Sequence, residues 1–435
     1  MTTLTKNNTL YSQAIDLLKN TQQLPADLIS IKQEAMEQFE QLGLPTMKNE
    51  EWKYTYLGKV LKRGFVPGLN ALPNAKTQQA IANILPEVSK DINRIVLVDG
   101  MFSAELSQIN SSDQFKISSI TDSWVEEQSK TSKLFSTLTH GREQALTALN
   151  TALFQDGIYI EVPDGARAHF EIMMVKTGKL EISMPRLLIH VGAEAYLNIA
   201  EQNFLLEGES FSNIVSEVFM EKSSKVEWVS VQDANDSAYI FDSIYVHQAE
   251  KSQYHSTVIS LTGAIMRNNQ YIKITGEEAH ADLGGVYILN GEQQADNLIL
   301  IEHESPNCTS NQLFKGILDD KSVGVFNGKI VVVPEAQKTD AFQSNKNILL
   351  SKDASAYFRP QLEIYADDVR CSHGATSSDI EDHELFYLRS RGIGKDLAKS
   401  LLIYAFVGDV IEEIENESLR EWVKSRVASK LKIEL

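Results

Sequence analysis

The sequence lacks the features that mark exported, membrane-spanning and disulfide-stabilised proteins. Among 435 residues it has only two cysteines, Cys308 and Cys371, so a disulfide framework cannot organise the fold. No run approaches the roughly 18 apolar residues of a membrane span. Residues 1–20 are polar and lack the apolar segment of a secretory signal. We therefore expect a cytosolic (cytoplasmic) protein.

Positive charge is also scarce. The chain carries 41 Lys and Arg against 59 Asp and Glu, a net charge of −18. This charge disfavours nucleic acids and anionic membranes as partners, because both are bound through clustered basic residues. The chain is longer than the domains that usually form around a single hydrophobic core. Two or three structural regions are therefore expected.

Both ends of the chain have helical periodicity. Residues 25–42 predict a helix that Gly43 and Pro45 end, and residues 124–153 predict a second. Residues 95–98 are an apolar run typical of a strand. After Asp379, two further helices are predicted from apolar faces and from a capping box of Ser418 and Glu421. Their apolar faces comprise Ile393, Leu397, Leu401 and Ala405, and Leu419, Val423, Val427 and Leu431.

From about Gly157 the apolar period changes to two, which predicts strands with one buried and one wet face. Short polar turns at 192–194, 222–224, 250–252 and 276–278 start 30, 28 and 26 residues apart. This spacing indicates stacked strand pairs. A β-sandwich and a β-helix both fit the pattern.

Cys371 and His373 are the strongest candidates for a functional site. Two residues apart on a strand, they face the same way and could share one metal ion or one partner surface. A thiolate and an imidazole suit iron or zinc, and neighbouring Arg370 would favour the thiolate. A typical cluster needs four ligands, whereas this chain has two thiols, so a partner would have to complete the site. For Cys308 a packing role is the favoured interpretation.

Three segments together resemble the SufB/SufD family of iron–sulfur cluster assembly scaffold proteins, and a fourth matches less tightly. Residues 329–352 read KIVVVPEAQKTDAFQSNKNILLSK, and 360–376 read PQLEIYADDVRCSHGAT. Residues 385–405 contain LFYLRSRGI, and residues 303–316 match less tightly. Within the family, the EEWKYT run at 50–55 and the small number of cysteines resemble the SufD branch.

The resemblance implies a fold that is mainly β with α: a right-handed parallel β-helix core between N- and C-terminal helical domains. The implied boundaries are 1–155, 156–378 and 379–435. It also implies a non-catalytic scaffold that pairs with SufB through the β-helix, binds the ATPase SufC through the C-terminal helices, and receives sulfur indirectly from a donor system. A homodimer is expected to be possible in isolation.

The family's interface ligands match His373 and Cys371 in this chain. The resemblance implies that no cofactor is bound stably by the chain alone, and that iron or an iron–sulfur cluster is held transiently in the complex. Two alternatives stay open. The chain could be a SufB-type paralogue, or a free-standing β-helix enzyme acting on polysaccharides.

Overall fold

A computed structural model describes residues 24–68, 73–86, 92–110, 112–126, 130–142, 144–178, 180–380 and 382–433. The polar stretch 1–20 lies outside them. Among the described residues, no helix is long and apolar enough to cross a membrane. The helices are a 3₁₀ turn, Glu50–Trp52, and α1 Ala26–Leu42, α2 Leu57–Leu61, α3 Ala75–Ile84, α4 Ile120–Trp124, α5 Lys130–Leu134, α6 Ala145–Leu153, α7 Asp382–Ser390, α8 Lys395–Glu412 and α9 Glu417–Leu431.

Strands dominate the middle of the chain. They are β1 Val66–Pro67, β2 Asn93–Val98, β3 Met101–Phe102, β4 Lys116–Ser119, β5 Ile158–Val162, β6 Arg167–Lys176, β7 Glu181–Ser183, β8 Arg186–Val191, β9 Tyr196–Leu205, β10 Ser210–Met220, β11 Lys225–Asp233, β12 Ala238–Gln248, β13 Gln253–Thr262, β14 Ile265–Ile274, β15 His280–Leu289, β16 Gln294–His303, β17 Thr309–Leu318, β18 Val323–Val332, β19 Asp340–Leu349, β20 Ser355–Ile364 and β21 Arg370–Ser378.

These strands form two sheets that alternate along the chain. Sheet A has the order β20-β18-β16-β14-β12-β10-β8-β5-β4, with β7 beside β10 and β1 beside β7; sheet B has the order β21-β19-β17-β15-β13-β11-β9-β6-β2-β3. From β5 to β21 each coil gives one strand to each sheet, and successive coils pair in parallel. The described residues thus contain eight coils of a parallel β-helix, which confirms the predicted fold class. The predicted domain boundaries stay predictions.

A column of tight turns joins each sheet A strand to the following sheet B strand. All four predicted turns are in this column, and each has a non-glycine residue at positive φ: Glu194, Ser223, Lys251 and Glu278, at 57° to 59°. The left-handed conformation costs each of them roughly 1–2 kcal/mol. A hydrogen bond from its N–H to the next coil offsets this cost; Ser223 N, for example, donates to the Glu250 carbonyl at 2.8 Å.

Both outer faces of the β-helix are largely covered, which corrects the expectation of one wet face. Every residue of β8 and β10 is buried, because helices and loops before Gly157 pack on sheet A. Helices α8 and α9 cover sheet B. The alternating pair Val286 and Ile288 consequently faces these helices, not the interior between the sheets.

The N-terminal region runs along the outside of sheet A. Phe65 packs against Phe211 of β10 and Tyr239 of β12, each at 5.8 Å between ring centroids. Further along, the Arg267 guanidinium lies 4.0 Å from the Trp52 ring and donates to Asp296 Oδ2 at 2.5 Å. Beyond these contacts, Tyr54 stacks on Tyr357 of β20 at 4.0 Å. The EEWKYT segment therefore packs against the last coil.

The predicted helix at 25–42 is confirmed. Two other helical expectations change in the structure. The stretch 124–153 is not one helix: α5 and α6 are separated by turns with positive φ at Ser136 and Gly141. Helix α9 is capped by Asn416, whose side chain accepts from Leu419 N at 3.1 Å, and not by the predicted capping box.

The face that α8 buries also differs from the predicted one. Ala398, Ile403 and Val407 face the core, whereas Leu397 and Ala405 are exposed. Apolar residues lie on both sides of this helix, so periodicity alone could not identify the face that packs on sheet B.

A polar layer crosses the interior between the sheets. Glu201 accepts hydrogen bonds from Asn203 and Trp228, both at 3.2 Å. Burial raises the pKa of Glu201 to about 7. Burial, and then the nearby charge of Glu201, raise the pKa of Asp242 well above its usual range.

The Arg186–Glu217 pair is buried completely and should carry a large share of the packing between the N-terminal region and sheet A. The two side chains meet at 2.5 Å, and Glu217 also accepts from Ser136 N at 2.8 Å. We expect Glu217→Ala to lower the free energy of unfolding by about 3–5 kcal/mol, because it leaves Arg186 buried without its partner. Urea denaturation followed by circular dichroism measures this change.

The matched control is Glu209→Ala, which breaks an exposed Arg–Glu pair with Arg63. It should cost less than about 1 kcal/mol. Equal losses in the two variants would contradict the assigned role of the buried pair.

Glu201 should make stability depend on pH. In the folded protein its proton is held up to about pH 7, whereas the ordinary value is 4.5. Between these values the folded state binds more protons than the unfolded state, so the free energy of unfolding falls as pH rises. We expect Glu201→Gln to flatten the urea midpoint between pH 4.5 and 7 relative to wild type and to the exposed control Glu207→Gln. Parallel pH profiles for all three proteins would show that Glu201 does not titrate in this range.

Candidate functional site

The two ends of the β-helix differ. At the first coil, β4 pairs with β5 and β2 pairs with β6, so further strands extend both sheets. At the last coil, β20 pairs only with β18 and β21 only with β19 among the described residues. Edge strands present unpaired N–H and C=O groups to any strand that can approach. The last coil is therefore the open end of the molecule.

The structure places both candidate ligands on this end. Cys371 pairs with Ala341 of β19, and His373 pairs with Gln343. Both continue columns that face the interior in earlier coils, so their side chains lie on the same face of β21. Cys371 is half-buried and His373 is exposed. Neither is sealed in the core, and both can be reached from the open end.

The surroundings of Cys371 disfavour the thiolate, contrary to the expectation based on Arg370. Burial raises the pKa of the thiol, and the charge of Asp340 raises it further, while a hydrogen bond from the Ala341 backbone opposes them. Arg370 is exposed and, as the adjacent residue on a strand, points to the opposite face. In the isolated chain Cys371 is therefore a weakly acidic thiol beside an exposed imidazole.

Cys308 has a different environment. It is fully buried, and its Sγ lies 3.2 Å from the Gly276 carbonyl and 3.3 Å from the Pro306 carbonyl. Burial raises the pKa of this thiol as well. This is the packing environment that the sequence favoured for Cys308, which lies just before β17, two strands from the open edge.

Exposed apolar side chains lie on the last two coils, as the candidate ligands do, and the sequence analysis missed them. They are Phe342, Tyr357, Phe358, Ile364 and Tyr365. Phe358 and Ile364 continue interior columns of sheet A, and no further coil covers them. Their alternation within residues 355–364 was visible in the sequence, but only the position of the last coil makes them surface residues.

A second exposed apolar surface lies on the C-terminal helices. Phe386 and Tyr387 of α7 and Leu397 of α8 are exposed, with Phe386 at 73%. A depression of about 520 Å³ between α7 and α8 is lined by His383, Glu384, Phe386, Tyr387, Leu388, Ser390 and Leu402. An apolar surface of this kind, rimmed by polar groups, is typical of a protein contact.

Comparison with known proteins identifies relatives along nearly the whole chain. Residues 173–406 match the family described as SUF system FeS cluster assembly, SufBD core domain, and residues 1–173 match the SufBD protein N-terminal region. The iron–sulfur cluster assembly protein SufD of Escherichia coli is 30% identical over 407 residues, covering 92% of each chain. An iron–sulfur cluster assembly SufBD family protein of Synechocystis is 31% identical over 409 residues, covering 90% of this chain and 89% of the relative.

The accessibility of the two thiols can be tested directly. We expect one thiol to react with a disulfide reagent in the native protein and two after denaturation, because Cys308 is fully buried and Cys371 is only half-buried. In a Cys308→Ser background, the alkylation rate of Cys371 should still be rising above pH 9, since its pKa is raised from 9.0. A rate that levels off near neutral pH would contradict the environment described for Cys371.

Proposed function

The chain belongs to the SufBD family of iron–sulfur cluster assembly proteins, and we propose that it is a non-catalytic scaffold subunit of the SUF assembly complex. As a SufD homologue, it would pair with SufB through the β-helix, bind SufC through the C-terminal helices and receive sulfur indirectly from a donor system. We further propose that it acts in the cytosol, where its two unpaired thiols would stay reduced.

The observation that carries the proposal is an incomplete ligand set at an open β edge. Cys371 and His373 offer one sulfur and one nitrogen, whereas a cluster typically takes four ligands. Cys308 is sealed elsewhere and cannot join them without unfolding its turn. A partner that docks on the last coil would supply the missing ligands, and an iron–sulfur cluster or iron would then be assembled as cargo between the two chains.

Pairing with SufB is supported by the chemistry of the last coil. The edges of β20 and β21 can add strands from a second β-helix, and the exposed aromatic residues Tyr357 and Phe358 would be buried in the contact. The same edges could pair with a second copy of this chain when SufB is absent. Contact with Tyr54 and Glu50 would hold the strand rigid for either partner.

Binding of SufC is supported by the exposed surface on α7 and α8. Helix α8 is anchored on sheet B: Lys315 of β17 is buried and donates to the Phe406 carbonyl at 2.7 Å and to Asp409 at 2.5 Å. Because α7 packs on α8, a force that SufC exerted on Phe386 or Tyr387 would be transmitted through α8 to the β-helix. We propose that ATP-driven dimerisation of SufC opens the interface between the β-helices and exposes Cys371 and His373.

Co-expression with SufB and SufC tests the proposal. We expect the three chains to co-elute in size exclusion, and the complex with His373→Ala to hold less than about half of the iron and sulfide of wild type after anaerobic reconstitution, because one cluster ligand is lost. His140→Ala, which changes another exposed histidine, is the matched control.

A Phe386→Ala/Tyr387→Ala variant is the second arm of this experiment. It should lose SufC while retaining SufB, because the two proposed surfaces are separate. Failure of the wild-type chains to co-elute, or normal cluster loading with His373→Ala, would refute the corresponding part of the proposal.

A further inference from the structure

A cluster of two histidines and an aspartate lies on the outer face of sheet B, away from the open end. His255 of β13 and His280 and Asp282 of β15 place three ligand atoms within 4.8 Å of one another. We propose that these three residues form a binding site for a divalent transition-metal cation. The proposal does not depend on the function proposed above.

The register of the β-helix creates this cluster. His255 pairs directly with Asp282 on the neighbouring coil, and Asp282 and His280 are two residues apart on the same strand. All three side chains therefore project from one face of the sheet. The measured separations are 3.4 Å from His255 Nδ1 to Asp282 Oδ2, and 2.6 Å from His280 Nε2 to the same oxygen.

A polar side chain lies near the second ring nitrogen of each imidazole and can fix the orientation of the ring for metal binding. Metal-binding histidines usually donate from the second ring nitrogen to an oxygen, which fixes the ring. His280 Nδ1 contacts the Thr309 hydroxyl, whose oxygen can accept a hydrogen bond from Nδ1–H when Nε2 binds a metal. His255 Nε2 is buried without a hydrogen-bond partner, and it lies 3.8 Å from Glu415 Oε1.

Glu415 is itself held in place at the turn between α8 and α9. Its backbone N–H donates to Glu227 Oε1 at 2.7 Å, and its carboxylate pairs with Lys225. This carboxylate can accept from His255 Nε2–H after a small rotation, and it would then complete a carboxylate–histidine–metal arrangement. The cluster thus joins sheet B to the C-terminal helices.

The donor set determines the class of metal. Two imidazoles and one carboxylate suit zinc or ferrous iron, whereas calcium and magnesium prefer a shell of oxygen atoms. Ligands of a tetrahedral zinc ion lie about 3.3 Å apart, so the His280–Asp282 hydrogen bond must lengthen by less than about 1 Å to admit it. Three protein ligands leave a coordination position open to water or to another molecule.

This site is distinct from the one on the last coil. Asp282 is three strands from Ser372 in the same outward column, about 14 Å at the usual strand spacing. Cys371 and His373 face the other side of the sheet. The three side chains are partly exposed, between 15% and 35%, so a cation can enter from solvent.

Metal titration of the full chain alone tests the proposal. In a Cys308→Ser/Cys371→Ser background that removes thiol ligands, we expect one equivalent of Co²⁺ to give visible d–d bands of a four- or five-coordinate ion. Competition with a chromophoric chelator then measures Zn²⁺ affinity, and anaerobic titration measures Fe²⁺ affinity. The two arms decide which metal the site prefers.

Asp282→Asn should weaken binding at least about tenfold, because it removes the anionic ligand while keeping the size of the side chain. His140→Gln should bind as the background does. If Asp282→Asn fails to fold by circular dichroism, His255→Gln replaces it. Affinity unchanged in the folded variant, or a cobalt spectrum of the six-coordinate aqua ion, would overturn the proposal and leave the cluster as a hydrogen-bonded surface group.

Discussion

The ladder of hydrogen bonds between parallel strands is the constraint on which the rest of the structure depends. Each coil must match the next residue by residue, since its backbone groups are satisfied only by the coils on either side. The requirement holds from β5 to β19, where strands lie on both sides, and it fails at β20 and β21. The hydrogen bonding that makes the β-helix rigid therefore leaves backbone groups without a neighbouring strand at one end of the described residues. The candidate ligands lie at that end.

The helical regions limit which surfaces of the β-helix a partner can reach. The N-terminal region covers the outer face of sheet A, and α8 and α9 cover sheet B. Two buried ion pairs of sheet A, Arg186–Glu217 and Arg267–Asp296, also bind the N-terminal region, since Glu217 accepts from Ser136 N and Arg267 donates to the Glu51 carbonyl. With both faces largely covered, the last two coils and the α7–α8 surface carry eight of the fourteen exposed large apolar side chains among the described residues.

Local patterns predicted the strands and the four turns, because alternation and polar breaks are set within a few residues. The choice of a β-helix over a sandwich came from the family resemblance, since the two share a period of two. What the sequence missed depends on the register between distant coils. His255 and Asp282 are 27 positions apart, and only strand pairing brings them together. The outward face of Val286 and the raised pKa of Cys371 likewise follow from packing partners that periodicity does not specify.

The contacts of the N-terminal region along sheet A also relate the length of that region to the number of coils in the β-helix. Phe65 touches β10 and β12, whereas Tyr54 reaches β20, four strands or about 19 Å beyond β12. Insertion or loss of one coil would shift Tyr357 by about 4.8 Å and break its stacking on Tyr54. The number of coils and the length of the segment between these two aromatic anchors can therefore change only together, which ties the size of the β body to a stretch of ten residues, 55–64, that forms no part of it.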